Sequence, residues 1–210
     1  MTESLGVRPA LVQRGRRLNY LTIGYNTVEA IVSLAAGLVA GSVALVGFGV
    51  DSGIEVTASL AAQWRLRADV HPERRARVER LTHRIIGASF LALAAYVSVD
   101  SLTTLTKREA PEASRVGLLI LVLSTFVMPV LAGAKRHVAR ALRSRALEAD
   151  AAQTSLCAYL SVIALAGVGL NAALGWWWAD PAAALAMVPI IAREGFEGLR
   201  GVPDCDGCCS

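Results

Sequence analysis

Charge is scarce in this chain. Asp, Glu, Lys and Arg make up 18% of its 210 residues, against 54% hydrophobic. That balance excludes a soluble domain of ordinary surface chemistry and fits a polytopic membrane protein. Histidine is nearly missing: His71, His83 and His137 are the three present, all in or beside polar connecting stretches where they read as solvated. Four cysteines do not form a disulfide framework, because Cys157 lies inside an apolar run and Cys205, Cys208 and Cys209 crowd the last six residues. There is no nucleotide-binding motif and no nucleophile paired with a base, which argues against an enzyme. A removable signal peptide is not expected either, since the first apolar run starts at Leu18, holds Glu29 and is long enough to span a bilayer.

What the chain does have is a series of apolar runs of bilayer length. Helices are predicted over about Leu18–Ala40, Ser42–Trp64, Ile85–Leu105, Val116–Ala134, Ala146–Leu174 and Asp180–Ala192. The Gly41-Ser42 corner allows a tight turn between the first two. Trp176, Trp177 and Trp178 mark a membrane interface, and Asp180 with Pro181 reads as the cap and first residue of the sixth helix. All but three of the 21 Lys and Arg residues fall in the N-terminal arm, the second-to-third and fourth-to-fifth connections and the C-terminal tail; the exceptions are Lys107, Arg108 and Arg115. The expected architecture is therefore an all-α membrane protein of six transmembrane helices with both termini cytoplasmic. It divides into a basic arm over residues 1–17, a six-helix body over 18–192 and a Cys-rich tail over 193–210. The loop arginines read as topology signals, not as a nucleic-acid surface.

Against that background the polar groups inside the runs stand out. Asp51 and Glu55 are four apart, so on a helix they share a face. A carboxylate near the centre of a spanning helix costs about 2.5–3.5 kcal/mol, and such residues are by default functional. The first helix carries Asn26, Glu29 and Ser33 on one stripe, and the fifth carries Asp150, Gln153, Thr154, Cys157 and Ser161 on another. The fourth offers Ser124, Thr125 and a kink at Pro129, and the sixth offers no buried polar side chain. The three polar stripes would converge in a bundle. Carboxylates, an amide and a thiol there suit a divalent cation.

Gly41-Ser42-Val43-Ala44-Leu45 followed by Asp51-xxx-Glu55 resembles the second helix of the cation diffusion facilitator (cation efflux) family. Ala149-Asp150-Ala151-Ala152-Gln153-xxx-Cys157 is similar to that family's fifth helix, with Gln153 and Cys157 standing where His and Asp are usual. Asp180-Pro181 is similar to the start of its sixth. The resemblance implies a divalent metal exporter, commonly of zinc in exchange for protons, working as a homodimer in a bilayer, here the bacterial inner membrane. The two substitutions, and the expected lack of the family's cytoplasmic C-terminal domain, mark a divergent member.

The implied metal site is Asp51, Glu55, Gln153 and Cys157, with Glu29 and Asp150 completing or adjoining it. A thiolate beside carboxylates suits Zn(II), and Cd(II) as an adventitious ion; without Cys157 the oxygens suit Mn(II) better. The metal is substrate, and no prosthetic group is expected. Metal binding displaces protons from crowded carboxylates, which offers a route to exchange at one site. Cys205, Cys208 and Cys209 could collect soft metal for the pore, and His71 could assist its entry. The competing expectation is a membrane metal sensor or assembly partner that kept the fold and lost transport.

Overall fold

The structure is a computed structural model that describes residues 4–67, 72–142 and 145–200. Six helices account for them: α1 Ser4–Ala40, α2 Val43–Arg67, α3 Pro72–Lys107, α4 Arg115–Leu142, α5 Arg145–Leu174 and α6 Ala179–Arg200. Five contain stretches long and apolar enough to cross a membrane; α6 does not reach that threshold, because Arg193, Glu194, Glu197 and Arg200 occupy its second half.

The helices outrun their apolar stretches. The basic arm is not a loop but the first turns of α1, helical from Ser4. Much of the Arg-rich second connection belongs to α2 and α3, and α4 continues through Lys135 to Leu142. Apolar length marks where a bilayer could sit, not where backbone hydrogen bonding ends. The sequence Cys205, Cys208 and Cys209 lies outside the described residues, as does His71.

Helices α1, α2, α5 and α4 close a ring, each packed on the next, and the α3–α6 pair leans on α2 and on α5 through α6. The exterior is apolar: Leu21, Val28 and Ile31 on α1 and Phe126 and Val130 on α4 are exposed. The interior of the ring is where the polar residues go, with Thr22, Asn26, Glu29 and Ser33 of α1 all fully buried. A soluble bundle shows the reverse arrangement; here lipid replaces water outside. This is an integral membrane protein.

The ring is tightened at one end by the α1–α2 corner. Gly41 adopts φ +66°, and the Ser42 amide donates to the Gly37 carbonyl at 3.0 Å, closing α1 with a left-handed cap. Asp180, expected to cap its own helix, instead reaches across. The Ser42 hydroxyl donates to its Oδ1 at 2.6 Å and the Val43 amide to its Oδ2 at 2.9 Å, so a fully buried carboxylate from α6 caps α2. The sixth helix thus does bury a polar side chain. At the same end the Glu112 amide donates to the Ala40 carbonyl at 2.8 Å, and Asn171 donates to the Pro111 carbonyl at 2.9 Å.

The α3–α6 pair owes its closeness to two glycines. A Cβ on Gly87 would lie 2.7 Å from the Gly195 carbonyl oxygen, and one on Gly195 would lie 3.0 Å from that of Gly87. Small residues at a crossing let helix backbones touch in lipid, where dispersion, not hydrophobicity, drives association.

Replacing Asp180 with Ala should cost about 1–3 kcal/mol, because it strands the Ser42 hydroxyl and the Val43 amide. Thermal unfolding in detergent checks this: Asp180→Asn, which keeps one acceptor oxygen, should fall between wild type and Asp180→Ala.

Candidate functional site

Polar side chains cross-link the four-helix ring at successive levels. The level nearest the α1–α2 corner is centred on Glu29. Ser52 of α2 donates to its Oε2 at 2.7 Å, Ser124 of α4 donates to its Oε1, and the Cys157 thiol of α5 lies 3.7 Å from Oε2. Tyr25, one turn away on α1, bonds the Ser124 hydroxyl at 2.9 Å. One carboxylate therefore gathers donors from all three other helices of the ring. The small size of Ser52 and Ser124 permits this, since a hydroxyl on a short stem delivers a proton without holding the helices apart.

Asp51 adjoins Ser52 at this same level of α2, and Glu55 follows one turn further from the corner. Both are buried, as their spacing on one face of α2 requires. Thr154 of α5 donates to Glu55 Oε1 at 2.8 Å. Among the described residues, Glu55 Oε2 is buried with no hydrogen-bond partner, and so are both amide atoms of Asn26. By register, Asn26 and Glu55 fall between the Glu29–Ser52 cross-link and the Asn19–Ser59 contact, on adjacent helices. Buried polar atoms without partners are rare. Cys157 lies within electrostatic reach of Glu29, Asp51 and Glu55.

The last level was not legible as a site. Lys135 of α4, expected in a solvated basic connection, is only 2% exposed. Its ammonium sits 2.8 Å from Asp150 Oδ2 of α5 and donates to Thr154 at 3.0 Å. The Ser59 hydroxyl of α2 donates to Asp150 Oδ1 at 3.2 Å, and the Asn19 amide of α1 reaches the Ser59 carbonyl at 3.5 Å. Lys135 belongs to the interior because α4 continues seven residues past it, and its eleven-residue offset from Ser124 returns it to the same face.

The six residues expected to share a metal site are thus distributed. Glu29, Asp51, Glu55 and Cys157 come together electrostatically in the ring. Asp150 lies a level away, held by Lys135. Gln153 is half-buried and makes no hydrogen bond to another described residue; the inward position beside Glu55 is taken by Thr154. Among the described residues no three His, Cys, Asp or Glu side chains converge closely enough to hold a metal ion in this arrangement. The hydroxyls of Ser52, Ser124 and Thr154 occupy carboxylate oxygens that a metal would need. Sequence reading missed Lys135 and Ser52; the helical offset of Lys135 from Ser124 was the available signal.

Ionisable residues inside membrane helices mark ion paths, proton relays or counter-ion sites. Comparison with known families makes this specific. The cation efflux transmembrane domain matches residues 20–201. An uncharacterized transporter of Synechocystis sp. is 24% identical over 186 residues, covering 86% of this chain and 60% of the relative. The chain belongs to the cation efflux (cation diffusion facilitator) family, and it spans about 60% of the length of this relative.

Thr154 bridges Lys135 to Glu55, so Thr154→Val should destabilise by about 1–3 kcal/mol by leaving both charged groups short of a partner. Thr154→Ser should retain most of the stability. Denaturation in detergent separates the two; equal losses would show that the hydroxyl is dispensable.

Proposed function

We propose that this protein exports a divalent cation, zinc first, across the bacterial inner membrane in exchange for protons. The observation that carries the reading is the buried group Glu29, Asp51, Glu55 and Cys157 inside the four-helix ring, with one Glu55 oxygen unspent. Three carboxylates in lipid-length helices are tolerated when a cation or protons neutralise them. A divalent ion is the economical choice, since it cancels two charges at once and its preferred ligands are already the residues present.

The mechanism follows from the bonds. With no metal bound, Ser52 and Ser124 satisfy Glu29, and Thr154 satisfies one oxygen of Glu55. Hydroxyls rotate at little cost, so they can release these oxygens to an incoming cation. Asp51 and Glu55 supply charged oxygens from one face of α2, and Cys157 supplies a soft donor from α5. Protons held among the crowded carboxylates leave as the metal enters, and their return displaces it on the other side. Alternating access then needs the ring to open at one end and close at the other. We place both termini in the cytoplasm and assign a homodimer as the working form. Cys205, Cys208 and Cys209 would serve as a collector for soft metal.

A second reading, a metal sensor that does not transport, is favoured by the outward displacement of Gln153 and the engagement of Asp150 by Lys135. Two experiments decide. In proteoliposomes with a pH step, zinc should enter against a proton counterflow, and Asp51→Ala should reduce entry to that of empty vesicles. Zinc that binds but never moves would sink the exporter reading. The double variant Gln153→His, Cys157→Asp should lower the ratio of cadmium to zinc flux, because it replaces a thiolate by harder donors. If transport appears only in that variant, the native protein is the sensor.

A further inference from the structure

We infer that Lys135 is a tethered counter-cation, and that its displacement by the incoming divalent ion opens the end of the four-helix ring that lies beyond Glu55. The inference rests on the transport reading above and names a residue that decides what the site admits.

Four observations carry it. First, Lys135 is almost wholly buried in a helix whose outer face is apolar, so its amino group is placed inside the bundle. Second, it is spent on the acidic site itself: 2.8 Å from Asp150, and 3.0 Å from the Thr154 hydroxyl that in turn donates to Glu55. The ammonium is thus one hydroxyl away from a carboxylate proposed to bind metal. Third, the same pair completes a belt. Asn19 to Ser59 joins α1 to α2, Ser59 to Asp150 joins α2 to α5, and Asp150 to Lys135 joins α5 to α4. All four helices of the ring are tied at one level, on the side of Glu55 away from the α1–α2 corner. Fourth, the corner end is tied separately by Asp180 on Ser42 and Val43 and by Glu112 on Ala40. Among the described residues the two ends are thus tied differently, and the belt is the tie that contains a cation.

The chemistry of the competition is simple. A divalent ion on Glu55 repels the ammonium and attracts Asp150. The ion pair is then worth less to the closed state, and Lys135 withdraws along its flexible four-carbon stem. A monovalent ion offers no such advantage over the ammonium already there. Lys135 thus ties opening to charge: the belt parts when the arriving ion outbids an internal one.

The test uses full-length protein in which Cys205, Cys208 and Cys209 are Ser, so that Cys157 is the remaining thiol. Two readouts are taken, the rate at which a water-soluble maleimide modifies Cys157, and zinc affinity by competition with a zinc dye. Lys135→Gln should speed modification and tighten zinc binding by about tenfold, because the belt is cut and Asp150 is released. Lys135→Arg, which keeps the pair, should stay near the parent. Asp150→Asn cuts the belt from the other side and should speed modification without tightening zinc; it also serves should Lys135→Gln fail to fold. Unchanged modification in both Gln and Asn variants, or zinc binding that is unchanged or weaker in Lys135→Gln, would overturn the inference. Either result is read independently of flux, so an absence of zinc transport in the parent removes the exporter reading while leaving the behaviour of the belt on record.

Discussion

A charged group inside a lipid-length bundle must find its partners within the protein, and this constraint shapes the whole molecule. Among the described residues, four carboxyl groups and one amine are committed to the ring: Glu29, Asp51, Glu55, Asp150 and Lys135. Stripping one partner from a buried ion pair costs about 3–5 kcal/mol, comparable to half the stability of many domains. The ring is built accordingly. Short hydroxyl side chains sit opposite the carboxylates, each helix contributes to more than one level, and the apolar residues face outward. From the α3–α6 pair, Glu194 lies within electrostatic reach of Asp51, and Asp180 anchors the start of α2, which carries the Asp51–Glu55 face.

Much of this was legible in the chain because membranes simplify the reading. The period of α1 placed Asn26, Glu29 and Ser33 on one stripe, and all three are buried together. Asp51 and Glu55 fall inward for the same reason, and the Gly41-Ser42 corner appears as a tight turn with positive φ at Gly41. What could not be read was partnership. Asp180 looks like a cap for the helix it begins, and only the fold brings Ser42 and Val43 to it from 138 and 137 residues away in sequence. Lys135 looks like a topology signal because it follows an apolar run and precedes more basic residues. Its burial depends on how far α4 extends, and hydropathy does not report helix ends. Gln153 is half-buried for a related reason: a three-residue step from Asp150 and a four-residue step differ by a single position around the helix, and Thr154 takes the more inward one.

The contrast between Thr154 and Gln153 bears on what this ring can do. A family motif read by alignment assigns chemistry to positions, whereas a bundle assigns it to directions. In this arrangement the fifth helix offers Glu55 a hydroxyl where the motif would offer a ligand, and offers Asp150 to a lysine. The acidic side of the site on α1 and α2 is intact, while the α5 side is occupied by internal partners. On both sides the carboxylates are held by groups that can let go.

Whether they let go depends on relative strengths. Interhelical hydrogen bonds in membranes are worth about 0.6 kcal/mol on average, so the hydroxyls of Ser52, Ser124 and Thr154 are weak holders individually. The Lys135–Asp150 pair is the stronger holder, because its ammonium and carboxylate meet at 2.8 Å with Lys135 2% and Asp150 10% exposed. Under the proposed export of a cation, an ion entering the ring would meet little resistance from the hydroxyls and most of it from a single ammonium. The residue that resembles a loop charge in the sequence is, on this accounting, the one that sets the threshold for occupancy.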